Sequence, residues 1–124
     1  MRIEEYFQQI EATLALFPQV ALKTMRYDQR SETKGFISGV LHFADASELH
    51  VREFVDVSSG IDRFKYSYHY MRAGHLIFRY DNAADITARE FATYPHHQHV
   101  GEVIQASRAP TLREVLGEIA AALP

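Results

Sequence analysis

Between Gln19 and Asn82 polar and apolar residues alternate, and the breaks in that alternation are only a few residues long. A parallel crossover needs a dozen residues or so, which means strands joined this tightly run antiparallel to their neighbours. The period of two predicts five strands, at 19–29, 34–44, 47–57, 63–71 and 75–82. Asp45-Ala46, Ser58-Ser59-Gly60 and Arg72-Ala73-Gly74 supply turns between them. The flanks have the other period. Ile3, Tyr6, Phe7, Ile10, Leu14 and Phe17 recur at helical spacing, with Glu4, Glu5, Gln8, Gln9 and Glu11 opposite. That helix ends before Pro18, because proline pushes the preceding residue out of the helical region. Near the other end, Pro110-Thr111-Leu112-Arg113-Glu114 reads as a capping box opening a second helix. Its buried stripe is Leu112, Val115, Leu116, Ile119 and Leu123. Residues 83–100 are expected to form a long link with a brief helical turn within 86–94. The expected architecture is α+β, a five-stranded antiparallel meander with both helices packed on one face, forming a single domain over residues 1–124.

Composition excludes several classes of function. The 124 residues carry a net charge of −3, which argues against a bulk polycation that coats nucleic acid indiscriminately. Cysteine is absent, so disulfide scaffolds, zinc–thiolate sites and thiol nucleophiles are ruled out. No apolar run approaches a membrane span, and the early acids of Met1-Arg2-Ile3-Glu4-Glu5 do not suit a signal peptide. The expectation is a soluble, cytoplasmic protein.

The hairpin Arg63–Asn82 carries most of the chemistry. Alternation puts Phe64, Tyr66, Tyr68, Tyr70, Leu76, Phe78 and Tyr80 on one face, and Lys65, Ser67, His69, Ile77, Arg79 and Asp81 on the other. A three-residue loop at Arg72-Ala73-Gly74 would set Lys65 across from Asp81 and Ser67 across from Arg79. The aromatic face reads most simply as the platform under the helices, with base stacking by exposed tyrosines as its competitor. The polar face is either a solvated surface with weak cross-strand ion pairs or a site that binds phosphate and moves protons. Glu53 interrupts the apolar line Leu49, Val51, Val55, Val57. A carboxylate there is paired, protonated, functional, or at an edge reaching solvent.

Pro95-His96-His97-Gln98-His99 places three histidines within four residues. Metal ligation is one reading of such a cluster, but the spacing matches no standard zinc pattern and no acid adjoins it. Acid–base work near neutral pH needs no metal and is the reading preferred here. No metal and no cofactor is expected. His42, His50 and His75 read as structural or exposed. Lys23, Arg26, Arg30 and Lys34 bracket the first turn, giving a weak sign of a local cationic surface.

Tyr66-Ser67-Tyr68-His69-Tyr70, Leu76-Ile77-Phe78-Arg79-Tyr80-Asp81-Asn82-Ala83 and Tyr94-Pro95-His96-His97-Gln98-His99-Val100, followed by Pro110-Thr111-Leu112-Arg113-Glu114-Val115-Leu116, resemble the TumE-like toxin family of prokaryotic type II toxin–antitoxin systems. The resemblance runs over nearly the whole chain. It implies a small toxin neutralised by a cognate helix-turn-helix antitoxin, and it assigns no catalytic residues.

From the residues themselves, the leading expectation is a metal-independent ribonuclease-type growth inhibitor. His69, Arg79, Asp81 and His97 are its catalytic candidates, and Lys65, Tyr68, Tyr70, His96 and His99 its substrate-binding candidates. The alternative is a non-enzymatic toxin or interaction protein that inhibits a target by binding. A third reading is a metal-dependent hydrolase using the three histidines with Glu53 or Asp81. RNA is the expected substrate, no membrane is involved, and a homodimer is left open.

Overall fold

The computed structural model describes residues 1–124, apart from the Ile86 side chain. Helix α1 spans Ile3–Ala15. Five strands follow, β1 (Val20–Gln29), β2 (Lys34–Phe43), β3 (Ser47–Asp56), β4 (Asp62–Arg72) and β5 (His75–Asp81). After a 3₁₀ turn at Ile86–Ala88 come β6 (His97–Val100), β7 (Val103–Ala106) and helix α2 (Leu112–Ala122). All seven strands form one sheet in chain order, with every neighbouring pair antiparallel.

The expected α+β meander is therefore present, but it has seven strands instead of five. β6 comes from the 83–100 segment expected to be a link with a histidine-bearing loop, and β7 lies just beyond it, where no element was expected. Each is only four residues long, and Gln98 and Gln105 face each other across the hairpin, joined by a side-chain hydrogen bond of 2.7 Å. With glutamines on one side and histidines on the other, this hairpin has no apolar alternation to announce it.

The register of β4 and β5 also differs from expectation. The turn contains two residues, Ala73 (φ 51°) and Gly74 (φ 76°), both in the left-handed region that the tightest hairpin turns demand. A bulge then follows between the Tyr70 and Met71 pairs, so Ser67 faces Asp81 and His69 faces Arg79. Lys65 stands beyond the end of β5 and pairs with Phe54 instead.

Both helices cover one face of the sheet. Ile3, Tyr6, Ile10 and Leu14 of α1 and Leu112, Val115, Leu116 and Ile119 of α2 are buried against Ile37, Leu41, Leu49, Val51, Val55, Tyr66, Tyr68, Tyr70 and Phe78. The Phe7 and Ile3 side chains of α1 come close at Gly35, where an added Cβ would lie 2.6 Å from the Phe7 ring and 2.8 Å from Ile3. The capping box of α2 forms as expected. The Thr111 hydroxyl accepts from the Glu114 amide at 3.2 Å, and the Glu114 carboxylate accepts from the Thr111 amide at 3.1 Å.

Glu53 is 1% exposed inside this core. It accepts hydrogen bonds from the hydroxyls of Tyr6 and of Tyr68, the latter at 2.6 Å. Arg63 in turn donates to the Tyr68 hydroxyl at 2.8 Å and to the Pro110 carbonyl. One buried network thus ties α1, β3, β4 and the entry to α2 together. Loss of hydration raises the Glu53 pKa, and the two tyrosine hydroxyls and Arg63 oppose that rise. Among the described residues no helix is long and apolar enough to cross a membrane.

Candidate functional site

Neither α1 nor α2 packs on the other face of the sheet. Antiparallel pairing keeps facing residues on the same side, and this sorts the open face into rows that run across the strands. One row reads Arg26, Ser38, Arg52, Ser67, Asp81, His97 from β1 to β6. The next reads Thr24, Val40, His50, His69, Arg79, His99. A third, shorter row holds Phe36, Phe54 and Lys65. Neighbouring strands lie about 4.8 Å apart, so the longer rows extend roughly 24 Å.

From β1 to β5 the rows floor a groove of about 1170 Å³, and His97 and His99 stand outside its lining. Arg26, Arg52, Lys65 and Arg79 line it, and Asp81 is its one carboxylate among the described residues. Arg26, Arg52 and Lys65 have no ion-pair partner among the described residues. Phe36 and Phe54 stack with ring centroids 4.4 Å apart, and Phe64, 52% exposed, extends the cluster at 6.0 Å from Phe54. Cations without counter-ions beside open aromatic rings are what a single-stranded, anionic, base-bearing chain requires.

At the β5–β6 end the polar groups interlock. Asp81 is almost fully buried. Its Oδ2 accepts from Arg79 Nε at 2.8 Å, and its Oδ1 accepts from the Ala83 amide at 3.0 Å and lies 3.0 Å from His97 Nε2. Arg79 Nη2 donates to His99 Nε2 at 2.9 Å. Arg79 is thereby clamped at two of its five N–H groups, and three remain for a phosphate. Asn82 continues the edge where β5 stops. It accepts from the Tyr66 amide at 2.9 Å and donates to the Phe64 carbonyl at 3.2 Å, standing in for a strand residue.

His69 faces Arg79 on the neighbouring strand. Its Nε2 is shielded from solvent and has no hydrogen-bond partner among the described residues. A polar atom left in that condition costs about 1–3 kcal/mol. Desolvation first, then Arg79 and His50, lower the His69 pKa below its ordinary 6.5. Desolvation and then Arg79 also lower that of His99, while Asp81 and Asp85 work in the opposite direction.

The residues singled out from the sequence divide cleanly. His69, Arg79, Asp81, His97 and His99 converge on the open face, with Lys65 two positions along β4 from Ser67. His97 is 1% exposed, too enclosed to touch a substrate, and it holds Asp81 instead. Tyr68 and Tyr70 are core residues under the helices, with no ring face open to a base. Their hydroxyls serve Glu53 and Ser47. His96 lies apart from His97 and His99, stacked on Tyr66 with its Nδ1 2.9 Å from the tyrosine oxygen. Arg26, Arg52, His50, Phe36 and Phe54 were not singled out as site residues, yet they line the groove. The period of two across the first three strands already placed them on the same side.

A family model described as "Toxin TumE" matches residues 8–123. No curated protein and no solved structure matches the chain significantly.

Proposed function

The chain belongs to the TumE toxin family, and on that premise we propose that it arrests growth by cutting single-stranded RNA on the open face of its sheet. Family membership implies an antitoxin partner; a helix-turn-helix protein that covers this face is the partner we propose. The observation that carries the reading is the row His69–Arg79–His99, two imidazoles on either side of a clamped guanidinium. His69 and Arg79 line a groove with free cations and stacked phenylalanines, and His99 meets Arg79 beside it.

The chemistry needs no metal. The phosphate lies over Arg79, whose free N–H groups take the charge that grows on its oxygens. His69 removes the proton from the ribose 2′-hydroxyl, and the 2′-oxygen forms a bond to phosphorus. The bond from phosphorus to the 5′-oxygen breaks, and His99, protonated once it has released Arg79 Nη2, supplies a proton to that leaving oxygen. The products are a 2′,3′-cyclic phosphate and a free 5′-hydroxyl. Asp81 orients Arg79, and His97 orients Asp81. Lys65 and Arg52 hold neighbouring phosphates, while the Phe36–Phe54 pair gives a base a surface to stack on.

The test is inducible expression of wild type, His69→Ala and Arg79→Ala at equal protein level. It is paired with incubation of each purified chain with single-stranded RNA in chelator. Growth arrest and 2′,3′-cyclic phosphate ends from wild type alone are expected. Arrest by all three with no cleavage would replace this reading with inhibition by binding.

A further inference from the structure

The geometry points to a second occupant of the Asp81, His97 and His99 cluster: one divalent transition-metal ion, zinc by its donor set, that competes with Arg79 for the same atoms. The three side chains come from two paired strands, and one potential ligand atom from each lies within 4.8 Å of the others. Two imidazoles and a carboxylate with a position left over form a recurrent donor set for zinc.

His97 supplies the more pointed observation. Its Nδ1 lies 2.8 Å from the Pro95 carbonyl oxygen, which can only accept, so the ring proton belongs on Nδ1. That leaves the Nε2 lone pair aimed at Asp81 Oδ1, a second acceptor, 3.0 Å away. A lone pair facing a carboxylate at that distance needs a positive centre between them, supplied by a second proton on His97 or by a metal ion. A histidine anchored through Nδ1–H to a backbone carbonyl, with Nε2 pointed inward, is the usual outer support of a metal ligand. His99 Nε2 also presents a lone pair, now used by Arg79 Nη2 at 2.9 Å, and it lies 3.6 Å from Asp81 Oδ2.

The competition follows from valence. One lone pair on His99 Nε2 can serve the guanidinium or a metal, not both. Arg79 also holds Asp81 Oδ2 at 2.8 Å, while Asp85 adds a further negative charge near both histidines. An ion entering the cluster displaces Arg79 Nη2 from His99. This state has no acid for the leaving oxygen, so zinc inhibits RNA cleavage. That last consequence rests on the function proposed above; the binding itself does not.

Titration calorimetry of the intact chain with zinc chloride tests the binding, with magnesium chloride as the control ion. One zinc per chain is expected, with no comparable magnesium heat. His99→Gln, whose side chain is partly exposed, should weaken zinc at least about tenfold. Circular dichroism of that variant confirms its fold. Arg79→Ala should tighten zinc about tenfold by removing a like charge at the site. Absence of saturable zinc binding, unchanged affinity in His99→Gln, or failure of Arg79→Ala to tighten would each overturn the competing site. Cleavage of RNA with and without zinc is read separately. Zinc binding as described in a chain that cuts no RNA leaves the metal site standing and removes the nuclease. Cleavage that persists at saturating zinc overturns the competition.

Discussion

The two faces of this sheet are made from the same strands, the same turns and the same alternation, yet they differ in almost every physical respect. The helix-covered face buries one carboxylate and surrounds it with donors: Glu53 with Tyr6, Tyr68 and, one bond removed, Arg63. The open face leaves Arg26, Arg52 and Lys65 without partners and His69 Nε2 without a hydrogen bond among the described residues. Unmet polar capacity is selected against in a core because it costs stability. On a ligand face it is retained because the ligand will meet it. The contrast teaches where to look in such a fold: the polar groups left unpaired say more than those in bridges.

The sharpest way to break the comparison is to make each face bear the other's kind of damage. Arg79→Ala or His69→Ala should reduce RNA cleavage by about 10²–10⁴-fold. Thermal unfolding should move little in His69→Ala, whereas Arg79→Ala also deprives the buried Asp81 carboxylate of a partner and lowers stability. A loss of activity tracking a loss of fold in His69→Ala would collapse the distinction between the faces. Leu116→Ala, under the helices, should lower unfolding free energy by about 2–5 kcal/mol in denaturant titration. Its activity per folded molecule should stay unchanged.

Smaller effects sharpen it further. Arg52→Ala and Lys65→Ala should each reduce the salt dependence of RNA binding by roughly one counter-ion, uniformly over sequence. A change confined to one RNA sequence would instead make that side chain a base reader. The His69 mechanism sets a sign for pH. The neutral imidazole is the base, and its pKa is lowered, so cleavage should fall with acid only through a midpoint below 6.5. A midpoint above 6.5 in the rate profile would remove His69 from that role. On the covered face the sign is reversed. Glu53 has a raised pKa when folded, so its protonated form favours the native state. Its contribution is complete below the unfolded carboxylate pKa and is lost as pH rises through the folded one. Glu53→Gln should flatten that decline in a series of unfolding measurements, and an unchanged slope would mean the decline arises elsewhere.

Much of this was legible in the chain, for reasons tied to particular residues. The change of period at Pro18, the capping box at Thr111 and the single carboxylate in the Leu49–Val57 line each reflect a local rule with few exceptions. The last strand pair was hidden because Gln98, Gln105, His97 and His99 give neither face an apolar signature. The convergence of His69, Arg79 and Asp81 could be read from alternation, but their pairing could not. It depended on a two-residue turn and a bulge, and a shift of two positions brought His69, not Ser67, beside Arg79. His96 lies just before β6, in a turn in which its amide donates to the Thr93 carbonyl, and so does not share the face of His97 and His99.

The β6–β7 hairpin has a further consequence. It reaches the rest of the sheet through three residue pairs, Arg79 with His99, Tyr80 with Gln98 and Asp81 with His97. During synthesis the five longer strands emerge first, and the centre stays incomplete until these late residues dock. A frameshift or premature stop before residue 97 would therefore remove His97 and His99 together with α2, and with α2 the cover over the apolar face of the sheet.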